Sequence, residues 1–357
     1  MRRVLTHEIL SPTRLGWLLA KRTQEADNLL QVIYNMCKRS GDSNSNVGSI
    51  VNLRTVCQHF TANVMRRMMF NKRYYGKGRE DGEPCAKEEE HIQALFSMLL
   101  HIYAFSISDY MPYLKPLDLD GNEKAVKDAL KDGDGKPLLS VAEIKAQIME
   151  LLLATMDNPS NVIEWALGEM LNQPEQLQKA VDEIDRVVGK ERLVEESDIP
   201  NLHYVMACAR EALRLHPVSP FNLPHISKAD ITVAGYFIPK GSQLWISRLG
   251  LGRNPRVWED PLRFNPEHHL NDKSYELGLG EPNLRFITFT RGRRGCMGGT
   301  LGTLLTVLLF ARLLQGFTWS IPHDLEKIGL KEDDQLFLAK PLTVYAVPRL
   351  PAHLYPA

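Results

Sequence analysis

The chain has 357 residues, and its 43 lysines and arginines balance 43 aspartates and glutamates, so the formal net charge is zero. A neutral chain offers no broad electrostatic attraction for nucleic acid or for an anionic surface. Its composition, 44% hydrophobic and 24% charged, is that of an ordinary globular protein, which excludes disorder, collagen and coiled coil. Charged and polar residues from Met1 to Glu8 stand where a signal peptide needs an apolar run, so no secretory or transmembrane segment is predicted there.

The cysteines predict neither a disulfide framework nor a structural zinc site. They are odd in number, widely spaced and without a C-x-x-C pair: Cys37, Cys57, Cys85, Cys208 and Cys296. A reducing environment is therefore expected, and each thiol has to be considered separately.

The first part of the chain is predicted to be helical. Apolar residues recur at mostly helical spacing over 15–38 and again over 88–105. The polar, glycine-containing stretches 76–84 and 131–137 contain little to bury, so both are expected to be surface loops.

A long apolar helix is predicted in the middle of the chain. Ser140 and Glu143 form a capping box ahead of a helical pattern that continues to Met170. Pro159 lies inside this pattern, where it removes a backbone donor and crowds the preceding turn. A kink or an opened turn is therefore expected near residues 155–158.

The second half combines helices with a small β-region. Further helices are predicted over 174–189 and 201–216, each bounded by proline or glycine. Residues 231–246 predict a hairpin-like pair of strands around Pro239-Lys240-Gly241. The last helix, 299–314, is strongly apolar but too short and too rich in glycine and threonine to prefer a bilayer over a buried core. A mainly α protein with a small β-region follows.

One stretch carries a specific chemical signal, Phe289-Thr290-Arg291-Gly292-Arg293-Arg294-Gly295-Cys296-Met297-Gly298. Glycines on both sides of the cysteine allow the backbone to bend sharply and to come close to a flat ligand. A helix is predicted to begin just afterwards, and its N-terminal end would stabilise a thiolate. These features suit a thiolate ligand to haem iron.

The same stretch matches F-x-x-G-x-R-x-C-x-G at every fixed position and resembles the cytochrome P-450 haem-thiolate monooxygenases. The resemblance implies the cytochrome P-450 fold, in incomplete form, for a single domain over 1–357. It also implies haem b, with Cys296 as the axial thiolate and with Phe289 and Gly298 in contact with the haem. Arg294, His225 and Arg2 resemble the cations that hold the haem propionates. For Arg2 a freely exposed charge is the favoured alternative.

Two further motifs appear in the order of that family. Glu211 and Arg214 match E-x-x-R, in which residues one helical turn apart form an ion pair on one face. The segment 264–270 resembles the region that supplies a third member, usually arginine, to this network. His268 holds that position here, which predicts a weaker or pH-sensitive network.

The segment 154–160 resembles the oxygen-binding part of the family's central helix. Most monooxygenases carry there an acid followed by threonine, whereas this chain has Asp157 followed by Asn158. An amide donates a hydrogen bond but relays protons poorly, so water would have to carry more of the proton delivery. Asp157 and Asn158 are the candidate catalytic residues.

The Asn158-Pro159 pair, the cysteine loop and the segment 216–225 together resemble the plant amino-acid N-hydroxylases, over essentially the whole chain. This resemblance implies conversion of an amino acid to its aldoxime in defence metabolism. Dioxygen and electrons from NADPH, through NADPH-cytochrome P-450 reductase, would be used at the cytosolic face of the endoplasmic reticulum membrane. Substrate contacts are expected from Phe221, Asn222, Leu223, Phe337 and Leu338, which do not predict which amino acid is used.

Two departures from the family leave alternatives open. The chain begins at what resembles the haem-contacting helix, without a membrane anchor, and 123–130 is joined at Lys131 to sequence expected much later. The chain is therefore expected to be truncated, without its anchor and soluble, with little or no turnover. Three hypotheses remain: an active amino-acid N-hydroxylase, an inactive remnant, or a haem-thiolate isomerase or dehydratase that needs no dioxygen.

Overall fold

The computed structural model describes residues 10–40, 48–71, 142–270, 278–290, 292–334 and 336–356, and the single positions 73, 86, 88 and 90. Side chains of 142–153 are not among the described groups. Several predictions lie outside these residues: the loops 76–84 and 131–137, nearly all of the helix 88–105, the Ser140 cap, and the sites of Arg2 and Cys85.

The described part of the chain is mainly helical, with short strands near its middle and its end. In chain order the elements are α1 (Pro12–Trp17), α2 (Leu19–Ser40), β1 (Ser49–Asn52), α3 (Leu53–Phe70), α4 (Ala142–Leu171), α5 (Pro174–Val187), α6 (His203–Leu215), β2 (His225–Ile226), β3 (Ile231–Val233), β4 (Tyr236–Ile238), β5 (Gln243–Leu244), α7 (Arg248–Gly252), α8 (Gly299–Gly316), β6 (Phe317–Ser320) and β7 (Thr343–Pro348).

The helices predicted from periodicity and capping residues are confirmed in this part of the chain. The pattern over 15–38 forms α1 and α2, and those over 174–189, 201–216 and 299–314 form α5, α6 and α8. Pro174 begins α5, because the donor that proline lacks would be unpaired at a helix start in any case. Gly189 follows α5 with φ +81°, a conformation that glycine adopts without strain.

Helix α4 is the central element and packs against α3, α5, α6 and α8. The opened turn expected near Pro159 does not interrupt it, since 142–171 form one helix. Hydroxyl groups support the turn before the proline. Ser160 Oγ donates to the Met156 carbonyl over 2.8 Å, and Thr61 Oγ1 of α3 donates to the same oxygen over 2.6 Å.

The β-hairpin lies earlier in the chain than predicted. Strands β3 and β4 pair across Ala234 and Gly235, whose φ angles of 50° and 83° match a tight two-residue turn. The prediction of a hairpin around Pro239-Lys240-Gly241 is therefore wrong. That tripeptide forms a separate turn, with Gly241 at φ 87°, after which β5 pairs with β2.

A three-stranded antiparallel sheet has the order β1-β7-β6, so β7 is its central strand. Ala346 of β7 lies opposite both Ser49 of β1 and Trp319 of β6. Cys37 Sγ of α2 contacts the Ala346 carbonyl at 3.1 Å, which ties the sheet to the helices.

Within the described residues, one helix is long and apolar enough to cross a membrane by length and composition, namely α8, and most of it is buried inside the fold. Leu308, Leu309 and Phe310 are among its fully buried side chains. The helix occupies the buried core position expected from its sequence.

Gly252, at the end of α7, lies against the C-terminal end of α6. A Cβ atom at this position would stand 2.1 Å from the Arg214 carbonyl oxygen, so only glycine allows the two backbones to approach this closely.

We expect Gly252→Ala to lower the free energy of unfolding by about 3 kcal/mol or more, because the added methyl must push α6 and α7 apart. The matched control is Gly16→Ala in α1, where no atom lies within 4 Å of the new Cβ. Denaturant unfolding of both variants measures the difference. Equal stabilities for the two variants would contradict the close packing at Gly252.

Candidate functional site

The cysteine loop is a closed backbone turn directly before α8. The Cys296 amide donates to the Phe289 carbonyl over 2.7 Å, and the Gly295 amide donates to the Gly292 carbonyl over 3.0 Å. Gly292 has φ 73° and Thr290 φ 57°, so the loop contains two left-handed residues. The backbone of the loop is thus fixed by its own hydrogen bonds.

The Cys296 sulfur lies close to the start of α8. A Cβ on Gly298 would be 3.8 Å from Cys296 Sγ, which places the sulfur beside the residue that caps the helix. The partial positive charge of the unpaired amides at this helix end stabilises a thiolate. The Phe289 ring packs on Gly299 and Gly302, so the loop and the helix are held together.

Among the described cysteines, the thiol of Cys296 is the exposed one. Burial raises the pKa of Cys57 and of Cys208 well above the ordinary value, and it also raises that of Cys37. These three thiols stay protonated inside the core. The structure therefore offers Cys296 as the thiolate ligand that the sequence predicts.

Several apolar side chains of the segments 221–223 and 245–247 are exposed, and a flat apolar cofactor would need such side chains. Phe221 is 44% exposed, Leu223 69% and Trp245 45%. Phe221 forms an isolated β-bridge with Ser247, so the segment that carries Phe221 and Leu223 lies beside the segment that carries Trp245. The exposed thiol, the flanking glycines and the open apolar side chains fit a haem group.

Two of the predicted propionate-binding cations are described, His225 and Arg294, and both are exposed. A third cation, Arg248, was missed by sequence reasoning. Its Nε donates to Asn222 Oδ1 over 2.8 Å. Burial lowers the pKa of Arg248, and the negative charge of a Cys296 thiolate opposes that shift, so Arg248 lies within electrostatic reach of the ligand.

The predicted ion pair between Glu211 and Arg214 is present and completely buried. Arg214 Nε and Nη2 each donate to one Glu211 oxygen over 2.7 Å. Arg214 also donates to three backbone carbonyls of the following segment, those of Gly252, Pro261 and Arg263. The pair therefore connects α6 to the chain that leads towards the cysteine loop.

Histidine takes the third place in this network, as predicted, and a second histidine joins it. His268 Nδ1 lies 3.2 Å from Glu211 Oε1, and His269 Nε2 lies 2.9 Å from Glu211 Oε2. Sequence reasoning missed His269, although its place directly after His268 in a short 3₁₀ turn was the available signal.

Burial favours the protonated form of Glu211, but hydrogen bonds from Arg214, His268 and His269 outweigh it and hold the pKa of Glu211 well below its ordinary value. Burial also lowers the pKa of His269 more than Glu211 raises it. A neutral His269 ring with its proton on Nε2 fits the geometry, because the buried Nδ1 has no partner. The network thus contains a charged carboxylate and a neutral imidazole.

The two candidate catalytic residues point to different surroundings. Asp157 is buried and hydrogen-bonds to Gln58 of α3, whereas Asn158 is exposed and its Nδ2 donates to the Ala154 carbonyl over 3.1 Å. Burial raises the pKa of Asp157 to about 7, although Gln58 and Arg54 lower it. Asp157 can therefore hold a proton near neutral pH.

The candidate substrate residues form two groups. Phe221 and Leu223 are exposed, while Asn222 is buried and accepts the Arg248 hydrogen bond. Phe337 is half-buried, with the Arg54 guanidinium 5.8 Å from its ring centre, and Leu338 is buried. Their contact with a substrate stays a prediction.

The sequence matches a family model described as Cytochrome P450 over residues 118–346. The chain is 52% identical to the tryptophan N-monooxygenase of Prunus mume, over an alignment of 395 positions that covers 100% of this chain and 73% of that protein. It is 50% identical to the tyrosine N-monooxygenase of Sorghum bicolor, with 100% and 70% covered. For valine N-monooxygenase 1 of Manihot esculenta the identity is 51%, with 100% and 71% covered.

Solved structures share the fold at low sequence identity. A zebra fish cytochrome P450 with abiraterone superposes with a TM-score of 0.69 at 23% identity, covering 98% of this chain and 81% of that one. The heme domain of a cytochrome P450DA mutant gives a TM-score of 0.71 at 19% identity, covering 99% and 76%.

We expect Cys296→Ser to abolish the red-shifted Soret band of the reduced carbon monoxide complex, because a serine hydroxyl does not replace the thiolate at iron. Cys37→Ser serves as the control, since its thiol lies in the core beside Ala346. Absorbance spectra of the two haem-reconstituted variants provide the measurement. A band retained in Cys296→Ser would refute the ligand assignment.

A second prediction concerns Asp157, whose pKa is raised from 3.8 to about 7. A raised pKa gives stability that is present below the ordinary value and is lost as the pH rises through the folded value. At 1.36 kcal/mol per pKa unit, Asp157 lowers the free energy of unfolding by roughly 3 kcal/mol between about pH 5 and about pH 8. Asp157→Asn should remove this component.

Denaturant unfolding at the two pH values, on wild type and variant, provides the measurement. Asp324→Asn is the control, because Asp324 is exposed on the surface. If Asp157→Asn kept the full pH dependence of the wild type, the buried carboxyl would not be its source.

Proposed function

This chain belongs to the cytochrome P450 family, and from that membership we propose that it N-hydroxylates a free amino acid and converts it to the aldoxime. The observation that carries the proposal is the close relationship, at about half identical residues over the whole chain, to proteins named tryptophan, tyrosine and valine N-monooxygenases. The exposed Cys296 at the start of α8 supports the haem-thiolate chemistry that such a reaction needs.

When bound, haem supplies the activation of dioxygen and the transfer of one oxygen atom to the substrate nitrogen. The residues of this chain that would hold it are Cys296, through its thiolate, and the exposed His225 and Arg294, through the propionates. Phe289 keeps the loop seated on α8, because its ring fills the space over Gly299 and Gly302.

The candidate proton-handling residues are Asp157 and Asn158, in place of the acid and threonine that most monooxygenases carry there. Asp157 holds a proton near neutral pH but is hydrogen-bonded to Gln58, on the side of α4 that faces α3. Asn158 is exposed, yet its amide already donates to Ala154. Water therefore has to carry more of the proton delivery to dioxygen.

The exposed apolar side chains of Phe221 and Leu223 would bind the side chain of the amino acid. Two N-hydroxylations followed by dehydration and decarboxylation would give the oxime. The relatives named above are described for tryptophan, tyrosine and valine, so aromatic and branched aliphatic amino acids are the substrates to test first.

We further propose that the electrons come from NADPH through NADPH-cytochrome P-450 reductase, at the cytosolic face of the endoplasmic reticulum membrane. Arg293 is exposed in the 3₁₀ turn of the cysteine loop, three residues before the exposed Cys296. A cationic surface at this position favours an acidic electron-donor protein.

The test mixes purified, haem-loaded chain with reductase, NADPH and single amino acids, and analyses the products by mass spectrometry. A second sample contains a longer version of this chain, in which residues of the Prunus mume relative are added at the N-terminus and at the 130/131 junction. Substrate should displace water from the iron, shift the Soret band and give an oxime that depends on NADPH.

The proposal would be refuted if both samples were loaded with haem and neither of them showed a Soret shift or an oxime. An oxime from the filled chain alone would support the proposal and the expectation that this chain turns over little. Rearrangement of an oxygenated substrate without NADPH would replace it with the isomerase or dehydratase hypothesis.

A further inference from the structure

The residues 331–334 and 336–339, here called the Phe337 turn, form a compact backbone unit before β7. Glu332 and Leu338 pair in an isolated β-bridge. The Ala339 amide donates to the Lys331 carbonyl over 2.8 Å, and the Asp333 amide donates to the Phe337 carbonyl over 2.9 Å. Phe337 therefore moves together with Glu332.

Two side chains from the central helices hold the tip of this turn. Trp165 Nε1 of α4 donates to the Leu336 carbonyl over 3.0 Å. Arg54 Nη2 of α3 donates to the Leu338 carbonyl over 2.6 Å. Arg54 is itself fixed by Glu164 of α4, over 2.8 Å.

His216 links the base of the turn to α4. Its Nε2 lies 2.9 Å from Glu169 Oε1 and its Nδ1 lies 3.0 Å from Glu332 Oε1. The imidazole is buried and stacks on Trp165, with ring centres 3.7 Å apart and planes within 3°. Each ring nitrogen therefore lies within hydrogen-bond distance of a carboxylate oxygen.

Arg253, directly after α7, completes the cluster. Its Nη2 donates to Glu332 Oε1, and its Nε and Nη2 donate to the Leu215 carbonyl over 2.9 and 2.6 Å. Two carboxylates thus face an imidazole and a guanidinium. The hydrogen bond from His216 is the largest reason that the pKa of Glu332 lies below its ordinary value.

We propose that His216 is a positioning residue for substrate binding, because it fixes the Phe337 turn against α4 through Glu332 and Glu169. The inference rests on the proposed function and on the prediction from the sequence that Phe337 contacts the substrate. His216 lies at the end of α6, so the helix that carries Glu211 and Arg214 also sets where Phe337 stands.

The proposal predicts a specific change in substrate binding. Without the hydrogen bond to Glu332, the turn keeps its contacts to Trp165 and Arg54 but loses the fixed position of its base. Substrate affinity should fall about tenfold, while the haem ligand is unaffected, since a misplaced binding group weakens affinity more than the chemistry at the iron.

The experiment uses the haem-loaded full chain with three substitutions. His216→Phe keeps the aromatic stack on Trp165 but removes both hydrogen bonds. Glu332→Gln keeps the side-chain shape, removes the charge and is the variant less disturbing to folding. Glu326→Gln, in the exposed segment between β6 and β7, is the matched control.

Three readouts separate the positioning role of His216 from the proposed function. Hydrogen exchange of the peptide that contains 333–339 reports on the turn without any substrate. Titration of the Soret shift with the preferred amino acid, tryptophan being the first probe, reports on binding, and the reduced carbon monoxide band reports on haem loading.

We expect faster exchange and about tenfold weaker binding in His216→Phe and in Glu332→Gln. A variant that combines these two substitutions should show no greater effect, because both remove the same contact. The carbon monoxide band should be unchanged in all variants, and Glu326→Gln should behave like the wild type. Exchange as slow as in the wild type in both variants would overturn the proposal. Faster exchange with unchanged substrate affinity would also overturn it. If no amino acid shifts the wild-type spectrum, the proposed function fails, and the exchange result still decides whether His216 holds the turn.

Discussion

The buried ion pair of Glu211 and Arg214 organises the part of the molecule that leads to the cysteine loop. Both side chains are excluded from water, and each finds several partners: Arg214 reaches three backbone carbonyls, and Glu211 accepts from two histidines and from the Asn265 amide. Removing one partner would leave an uncompensated buried charge, which typically costs 3–5 kcal/mol. The position of the segment between α7 and the cysteine loop therefore depends on two residues of α6. His216 directly follows the same helix, and its contact with Glu332 extends the influence of α6 to the Phe337 turn.

The region around Cys296 is organised by contacts within the chain itself. Backbone hydrogen bonds close the loop, glycines let its ends approach, and the Phe289 ring packs it on α8. Binding would then require little reordering of the chain around Cys296. The candidate catalytic residues differ from this loop, because the polar groups of Asp157 and Asn158 are engaged with Gln58 and Ala154. The residues around Cys296 thus form a rigid support, whereas Asp157 is a buried carboxyl that titrates near neutral pH.

Local sequence signals predicted the features that depend on a few neighbouring residues. Helices α5, α6 and α8 follow from periodicity and end residues, and the Glu211–Arg214 pair follows from its spacing within one helical turn. The hairpin was misplaced because Pro239-Lys240-Gly241 has stronger turn chemistry than Ala234-Gly235, although the latter provides the geometry that joins paired strands. Arg248 and the His216 cluster join residues that are distant in sequence. Their roles follow from packing, which no local pattern encodes.

The central position of β7 has a consequence for the order of folding. Ser49 and Ala346 are paired across about 300 residues, so the entropy of closing this loop opposes early pairing. The helical core around α4 can form from contacts between residues that are closer in sequence. Until β7 is synthesised and folds, β1 has no partner strand for its backbone hydrogen bonds. The Ile50 side chain of β1 is exposed. Slow closure of this sheet makes β1 the segment most open to pairing with another unfinished chain, so the yield of folded protein should depend on how crowded such chains are during synthesis.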